Sequence, residues 1–314
     1  MQSDHFPRQA AKNEHRKGSF YAVAAYLMWG LFPLYWIPLQ KIASFEILSH
    51  RIVWSFVFMT VLLLVEHKFS QFLAALHTFL ASPKQFLLIV LASFLISINW
   101  FIYIWAVTHG HVVESSMGYY INPLVSILLA ILFLKEKLTR WQILAVLLAA
   151  AGVLVQTIGF GRFPIIALAL AFSFGFYGLT KKLIPMDATL ELTFETLCIL
   201  PITLYYLIHL QISGTAAFAS GSLVIDLLLM GTGIVTAIPL LFFAEAAQRI
   251  SLTMIGFFQY ITPTISLIIG ITVYKEIFNW IQLISFSFIW LGLIIFSLSS
   301  ALPLKRRVRF PHSV

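Results

Sequence analysis

The sequence predicts an all-α membrane protein in which ten transmembrane helices form two inverted five-helix repeats. Of its 314 residues, 60% are hydrophobic and only 10% are charged, against about 25% charged in soluble domains. Apolar stretches close to the roughly 20 residues that a spanning helix needs occur ten times, and the second half of the chain repeats the first. Leu, Ile, Phe and Ala run on without alternation, which favours helices over a β-barrel.

The predicted spans lie at 18–38, 44–65, 86–108, 112–134, 138–160, 163–180, 188–209, 222–247, 250–273 and 278–301. The polar, basic segments 1–17 and 302–314 are predicted to be tails. The first span lacks a small-residue cleavage site, so we expect it to remain in the membrane rather than be removed as a signal peptide. The connection at 66–85 mixes apolar and polar residues and predicts an amphipathic helix at the membrane surface.

The duplication is clearest around two prolines in spans four and nine. At a constant offset of 140, eight of 23 positions are identical without a gap. The matched pairs are Tyr120 and Tyr260, Ile121 and Ile261, Pro123 and Pro263, Ser126 and Ser266, Ile131 and Ile271, Lys135 and Lys275, Glu136 and Glu276, and Gln142 and Gln282. An offset of 145 pairs Glu46 with Glu191. We therefore predict repeats at 18–160 and 163–301, and because each has five spans, the second is inverted.

The Lys and Arg residues predict the orientation of the chain. Sixteen of the 20 lie in the two tails and in alternate connections, Lys181 and Lys182 among them. The positive-inside rule then makes those connections and both termini cytoplasmic. In the matched loops, Lys137 and Arg140 are replaced by Ile277 and Trp280 in the second copy, as expected if that loop faces outward. The net charge of +8 therefore reflects membrane topology and not a nucleic-acid partner.

Inverted repeats allow two near-equal packings, one open to each side, and favour a transporter that works by alternating access. Two alternatives remain open. A scaffold or accessory subunit without transport of its own predicts a bundle packed solid at the midplane. A membrane-embedded lipid-modifying enzyme predicts convergence of Glu46, His50, Glu114 and His111. Because the sequence has neither nucleotide-binding nor hydrolase motifs and only one cysteine, we predict no catalytic residue, cofactor or metal site.

The solute site is predicted at the two prolines, which lie near the bilayer midplane. A proline inside a helix removes one backbone hydrogen bond and frees a carbonyl group, so Pro123 and Pro263 are predicted helix breaks. Hydrogen-bonding side chains flank both. The predicted substrate-binding residues are Tyr119, Tyr120, Asn122, Gln259 and Tyr260, together with Asn99 and Trp100 of span three. The alternative is a packing kink whose polar neighbours satisfy one another.

Ionisable residues within spans suggest vestibules and coupling. Glu46 and His50 share one face of span two, while Glu191 and Glu195 share one face of span seven. We expect these pairs to line opposite vestibules, with His50 or Glu195 titrating as a proton is exchanged. For Glu46 and Glu191 we prefer the simpler interpretation that a carboxylate in the first turn meets the helix dipole.

Arg51 also lies inside span two and cannot lose its charge. It must snorkel, pair with an acid, or meet an anionic ligand, and we expect it to make the outer vestibule electropositive. Glu114, at the outer start of span four, is the candidate partner.

Several segments together resemble one family. They are Trp29–Trp36 (WGLFPLYW), Glu46–Arg51 (EILSHR), Asn99–Ala106, Gly118–Pro123 (GYYINP) and Gln259–Thr264 (QYITPT). The set resembles the drug/metabolite transporter superfamily, in its EamA branch and specifically the RarD-type permeases. The resemblance implies a multi-pass secondary transporter of the bacterial inner membrane, built from two EamA repeats, that exports or exchanges small metabolites or drugs. It also implies a central cavity surrounded by helices three, four, eight and nine.

Overall fold

Helices form nearly all of the chain in the computed structural model, which describes residues 5–108, 111–161, 163–273 and 280–301. The α-helices of these residues are α1 (His5–Trp36), α2 (Ser44–Val65), α3 (Phe69–Ala81), α4 (Pro83–Thr108), α5 (Val112–Phe133), α6 (Arg140–Phe160), α7 (Ile165–Leu183), α8 (Ala188–Ile212), α9 (Leu223–Arg249), α10 (Leu252–Gln259), α11 (Ile261–Thr272) and α12 (Trp280–Ala301). All ten predicted spans appear as long apolar helices, the ninth being α10 and α11 together. The predicted fold class is therefore confirmed.

The ends of the chain differ from the prediction in one respect. Helix α1 begins at His5, so the described part of the predicted tail 1–17 is helical and continuous with the first span. Pro7 lies in the first turn, where a missing N–H removes no intrahelical bond. The predicted basic tail 302–314, and Lys275 and Glu276 of the second copy, lie outside the described residues.

Capping residues explain where several helices begin and end. Thr139 and Gln142 form a capping box at the start of α6, and Gly161 ends that helix with a φ of +76°. Asp187 caps α8 by accepting from two backbone N–H groups, and Ser251 caps α10. These are the residue types that satisfy the unpaired groups of helix ends.

The connection between spans two and three forms α3, as its amphipathic pattern predicts. Phe72 is buried on one face of α3 and stacks on Phe194 of α8, with 4.6 Å between the ring centroids. Lys68, just before α3, pairs with Asp187 at 2.8 Å. The helix is therefore tied to the start of α8 by one apolar and one ionic contact.

The pattern of helix contacts is symmetric under exchange of the repeats. Helix α1 packs against α9 as α7 packs against α4, and α1 contacts α11 as α7 contacts α5. Three further strong pairs join counterparts directly: α2 with α8, α5 with α10, and α6 with α12. Helix α2 also packs extensively on α9, and the equivalent pair, α8 with α4, is in less extensive contact. Such a pattern is expected when two copies are related by a two-fold axis, and the odd number of spans in each copy makes the axis lie in the membrane plane.

Packing divides the chain into two compact units that do not follow the boundary between the repeats. The larger comprises the described residues of Met1–Glu136 and Phe163–Ile277, and the smaller those of Lys137–Arg162 and Phe278–Val314. Within the smaller unit, α6 and α12 approach closely: a Cβ on Gly292 would come within 2.8 Å of the Ala145 carbonyl oxygen. The candidate site lies wholly within the larger unit.

Candidate functional site

A cavity of about 140 Å³ lies among six spans of the larger unit. Aromatic rings and uncharged polar groups form most of its wall, and Arg51 is the sole charged side chain among the described lining residues. The lining consists of Tyr26, Trp29, Phe32, Trp36, Arg51, Asn99, Trp100, Tyr103, Ser115, Gly118, Tyr119, Asn122, Leu170, Phe174, Gln259, Thr262 and Ser266. It extends to the last residue of α1 and the first turns of α5. The cavity therefore lies toward the face where α1 ends and α2 begins.

The duplicated helices contribute equivalent positions to this cavity. Tyr119 and Asn122 of α5 line it, and so do Gln259 and Thr262, their counterparts at an offset of 140. Residues three apart share a helix face, so Tyr119 and Asn122 reach the same space from α5. Gln259 and Thr262 reach it from either side of the turn at Tyr260. The hydroxyl of Thr262 also donates to the Tyr26 carbonyl oxygen at 2.9 Å. The two copies of the repeat therefore meet at the cavity.

The two matched prolines have different effects on their helices. Helix α5 runs through Pro123 without interruption, so the predicted break there is corrected: a single lost hydrogen bond does not end a helix whose neighbouring turns remain intact. In the second copy the helix does break, at the turn of Tyr260 between α10 and α11. Pro263 lies in the first turn of α11, where its missing N–H is tolerated.

The matched helices also touch each other beside the cavity. A Cβ on Gly256 of α10 would lie 3.0 Å from the Pro123 carbonyl oxygen of α5, so the two backbones approach closely. The Ser126 hydroxyl donates to Gln259 Oε1 at 3.2 Å. This bond orients the Gln259 amide, which is 4% exposed.

The two asparagines of the lining differ in how well they are satisfied. Asn99 donates through Nδ2 to the Leu170 carbonyl oxygen and to Ser173 Oγ, both at 2.9 Å, and ties α4 to α7. Asn122 Oδ1 is buried, and no described residue donates a hydrogen bond to it. A buried oxygen without a donor costs about 1–3 kcal/mol. Asn122 is therefore a lining group whose hydrogen bonding a solute would improve.

Arg51 reaches the cavity between two tryptophans. Its side chain is buried, and Nε donates to Thr236 Oγ1 at 3.0 Å. The guanidinium carbon lies 4.4 Å from the ring centroid of Trp100 and 5.1 Å from that of Trp36, within the range of cation–π attraction. No described carboxylate lies within ion-pair distance of it.

Glu114, the predicted partner of Arg51, is engaged elsewhere. Its Oε1 accepts the backbone N–H of Ile166 at 2.8 Å, and its Oε2 lies 3.7 Å from His111 Nδ1. The carboxylate thus satisfies an otherwise unpaired N–H in the first turn of α7. The predicted pairing of Arg51 with Glu114 is not formed.

Glu46 and His50 contact the loop between α8 and α9 and do not line the cavity. Glu46 Oε1 accepts the backbone N–H of Ala217 at 2.6 Å. His50 Nδ1 accepts from Trp54 Nε1 at 3.3 Å, and its ring lies 5.0 Å from that of Phe218. The two residues hold the loop in place. Glu46 and Glu114 accept hydrogen bonds from different backbone N–H groups, those of Ala217 and Ile166.

A buried ion cluster forms around Lys181, which was predicted to lie in a connection between spans. Lys181 is 1% exposed within α7, and its Nζ lies 3.2 Å from Glu191 Oε1 and 2.9 Å from Glu195 Oε1. The Tyr177 hydroxyl donates to Glu195 Oε2 at 3.1 Å. Lys182, the next residue, donates to carbonyl groups at the end of α9. Adjacent residues on a helix face different directions, a signal that could have separated the two lysines.

A second void of about 20 Å³ adjoins this cluster, which is room for about one water molecule. Its wall includes Glu195, Trp100 and Thr236. Trp100 also lines the main cavity, and Thr236 is the hydrogen-bond partner of Arg51. Trp100 of the cavity and Glu195 of the ion cluster therefore border the same small void.

A cluster of aromatic rings closes one end of the cavity. The rings of Tyr26, Trp29 and Phe174 pack around Phe243 with centroid distances of 6.3, 5.8 and 5.5 Å. Tyr177 stacks on the same ring at 5.8 Å. Phe243 is fully buried. These five residues, the aromatic plug, separate the cavity from the opposite face of the larger unit.

The residues of α1 that line the cavity were not among the predicted site residues. These four residues, Tyr26, Trp29, Phe32 and Trp36, follow at spacings of three, three and four, which places them on one helix face. This aromatic stripe was the available signal. The resemblance implied a cavity surrounded by the third, fourth, eighth and ninth spans. The third, fourth and ninth spans do line it, and so do the first, second and sixth. The eighth span, α9, does not.

Tyr120 and Tyr260, both predicted to bind solute, lie outside the lining. Tyr260 is fully buried at the turn between α10 and α11, and Tyr120 is half-buried. Each directly follows a lining residue and so points about 100° around the helix from it. Their matched positions reflect the duplicated architecture rather than the cavity.

Comparison with known proteins agrees with this architecture. The model of the EamA-like transporter family matches residues 16–158. The chain is 49% identical to the transporter YojE of Bacillus subtilis (strain 168), over 91% of this chain and 95% of that protein. It is 46% identical to the protein RarD of Salmonella typhi, over 90% and 94% respectively. A protein of known crystal structure has the same fold, with a TM-score of 0.68 at 14% identity over 90% of this chain and 98% of that one. The chain therefore belongs to the EamA-like transporter family, among its RarD-type members, and is a multi-pass membrane transporter.

Proposed function

We propose that the chain is a secondary transporter that carries a small organic solute through the cavity by alternating access of its two inverted repeats. One observation carries the proposal: the duplicated helices present matched positions, Tyr119 with Gln259 and Asn122 with Thr262, to a single cavity. A solid scaffold would have no such space between the copies. Near-equivalent halves can close on either side of a shared site, which is the basis of alternating access.

The orientation follows from the distribution of positive charge. Both termini are cytoplasmic, in the inner membrane of a bacterium, because Lys and Arg are concentrated in the tails and alternate connections. The cavity then opens toward the outside, where α1 ends. The aromatic plug becomes the barrier on the cytoplasmic side.

Five of the predicted residues contact the solute in this proposal. They are Asn99, Trp100, Tyr119, Asn122 and Gln259, all of which line the cavity. Their amide groups supply hydrogen bonds, and the aromatic rings cover the apolar body of the solute.

Coupling to protons is assigned to Glu195 rather than to His50. One lysine, Lys181, faces two carboxylates, Glu191 and Glu195, so the cluster carries surplus negative charge when all three are ionised. Binding one proton relieves that surplus. Glu195 also borders the void that adjoins Trp100. In the absence of a proton gradient the same cycle would exchange one solute for another.

A counterflow screen in proteoliposomes would test the proposal, using amino acids, sugars, nucleosides and aromatic acids with and without a pH gradient. For a solute that is carried, we expect the double variant Asn122→Ala/Gln259→Ala to lower the initial rate about tenfold or more, since each lost hydrogen bond costs about 1 kcal/mol or more. Ser287→Ala is the matched control, because its hydroxyl bonds locally within α12. Undiminished transport by the double variant would refute the assignment of the cavity.

A further inference from the structure

The charge of the cavity indicates what kind of solute it takes. Arg51 is the sole charged group among the described residues of the lining, which holds neither Asp nor Glu. The side chain is 8% exposed and has no carboxylate partner among the described residues. A buried, permanently charged guanidinium needs a counter-charge, and the cavity is the place from which one can come.

The position of Arg51 breaks the symmetry of the repeats. At the offset of 145 that pairs Glu46 with Glu191, the counterpart of Arg51 is Thr196. Thr196 lines the smaller void and not the cavity. The duplicated architecture alone therefore does not account for a cation at position 51.

The surroundings of Arg51 prepare it to bind an anion. Trp36 and Trp100 hold the guanidinium through its π faces, and Thr236 accepts from Nε. The terminal nitrogens donate no hydrogen bond to a described residue. A planar guanidinium with its edge uncommitted matches a carboxylate through two parallel hydrogen bonds.

We propose that the transported solute is an organic monoanion, a carboxylate with an aromatic body. Arg51 binds the carboxylate, and the aromatic lining, including Trp29, Phe32 and Tyr119, covers the ring. One positive charge balances one negative charge, whereas an ammonium group would find no acidic partner in the lining. This inference rests on the proposed function, since it concerns the same cavity.

The test measures binding of four probes to the purified full-length protein in detergent, by quenching of tryptophan fluorescence or by calorimetry. Phenylacetate carries both features, phenylacetamide and phenethylamine replace the anion by a neutral group and a cation, and acetate lacks the ring. We expect phenylacetate to bind about tenfold more tightly than each of the others, because a charge-assisted pair contributes at least about tenfold in affinity.

Variants of Arg51 link this preference to the guanidinium. Arg51→Gln should remove the advantage of phenylacetate over phenylacetamide, and Arg51→Lys should retain part of it. Arg249→Gln is the matched control, because Arg249 also lies over an aromatic ring, that of Tyr21, but does not line the cavity. Size-exclusion profiles report whether each variant folds. If the variants do not fold, the preference of the unmodified protein for phenylacetate over the other probes still tests the inference.

Each outcome bears on the inference separately from transport. Equal binding of phenylacetate and phenylacetamide, tighter binding of phenethylamine, or no binding of any probe would overturn the monoanion assignment. If a neutral or cationic solute is instead carried in liposomes, and that transport depends on Asn122 and Gln259, the proposed function stands while this inference falls. If phenylacetate binds as expected but the protein carries no solute in liposomes, the proposed function falls, and the cavity is an anion-binding site without transport.

Discussion

Buried charge is handled in two ways within the spans. Lys181 is neutralised within the protein, by Glu191 and Glu195 at 3.2 and 2.9 Å. Arg51 is held by aromatic rings and one hydroxyl, with no described acid nearby. The first arrangement is complete without a ligand, whereas the second is not. At the scale of single residues, therefore, Lys181 is expected to control stability and Arg51 to control binding.

Replacing Lys181 should destabilise the fold. Lys181→Met leaves two buried carboxylates without their cation, and breaking a buried pair costs about 3–5 kcal/mol. Unfolding in detergent, followed by circular dichroism, should show a lower midpoint. The triple variant Lys181→Met/Glu191→Gln/Glu195→Gln should recover most of the loss. Lys182→Met is the comparison, because Lys182 bonds to carbonyl groups and has a smaller role. Equal effects of the two single variants would contradict the role of the cluster.

Glu195 should couple transport to protons. Glu195→Gln mimics the protonated side chain, so we expect uptake driven by a pH gradient to be lost while solute exchange persists. Glu46→Gln is the matched control, because Glu46 is equally buried but bonds to a loop N–H. The two activities are measured separately in the same proteoliposomes. If gradient-driven uptake survives in Glu195→Gln, the coupling residue lies elsewhere.

Close helix contacts decide how the elements pack. Gly233 of α9 lies against α2, where an added Cβ would come within 2.3 Å of the Trp54 backbone carbon. Ser55 donates to the Gly233 carbonyl oxygen at 3.1 Å in the same contact. Small residues that let helix backbones approach are a recurring device in membrane bundles. Here they join two helices from different repeats.

Gly233→Ala should weaken the contact between α2 and α9. The added methyl group meets backbone that cannot move aside, so overpacking should cost about 1–3 kcal/mol. Gly231→Ala, two residues earlier, meets the far end of Tyr35 instead, and a side-chain tip can shift. Thermal unfolding of the purified variants should therefore rank Gly233→Ala well below Gly231→Ala. The reverse ranking would show that this contact is not tight.

The helices could be predicted from sequence because hydrophobic length alone identifies a span in a bilayer. The repeat offset also showed which residues are equivalent. This identified the region of the two matched prolines and, within it, the cavity residues Tyr119, Asn122 and Gln259. Which face of each other helix lines the cavity could not be predicted in the same way, because an apolar helix such as α1 has aromatic residues on several sides. Lys181 was placed in a loop because charge counts alone do not reveal buried partners on the next helix, α8.

At the scale of the whole molecule, the two repeats share one cavity, and a plug of aromatic rings closes it on one side. Most contacting helix pairs have an equivalent under exchange of the repeats. In the proposed cycle, the inverse arrangement, closed where the cavity now lies and open at the plug, would therefore use equivalent contacts. Two such states with similar free energies are what a carrier needs. A scaffold needs one.

The most direct test is the accessibility of a single lining residue from both sides of the membrane. Ser266 lines the cavity, and Cys198 is the sole cysteine of the chain, so Ser266→Cys in a Cys198→Ala background gives one reactive thiol. Alternating access predicts that a membrane-impermeant thiol reagent labels it in right-side-out vesicles and also in inside-out vesicles. Labelling from one side only, whatever solute or gradient is applied, would contradict the alternating-access account.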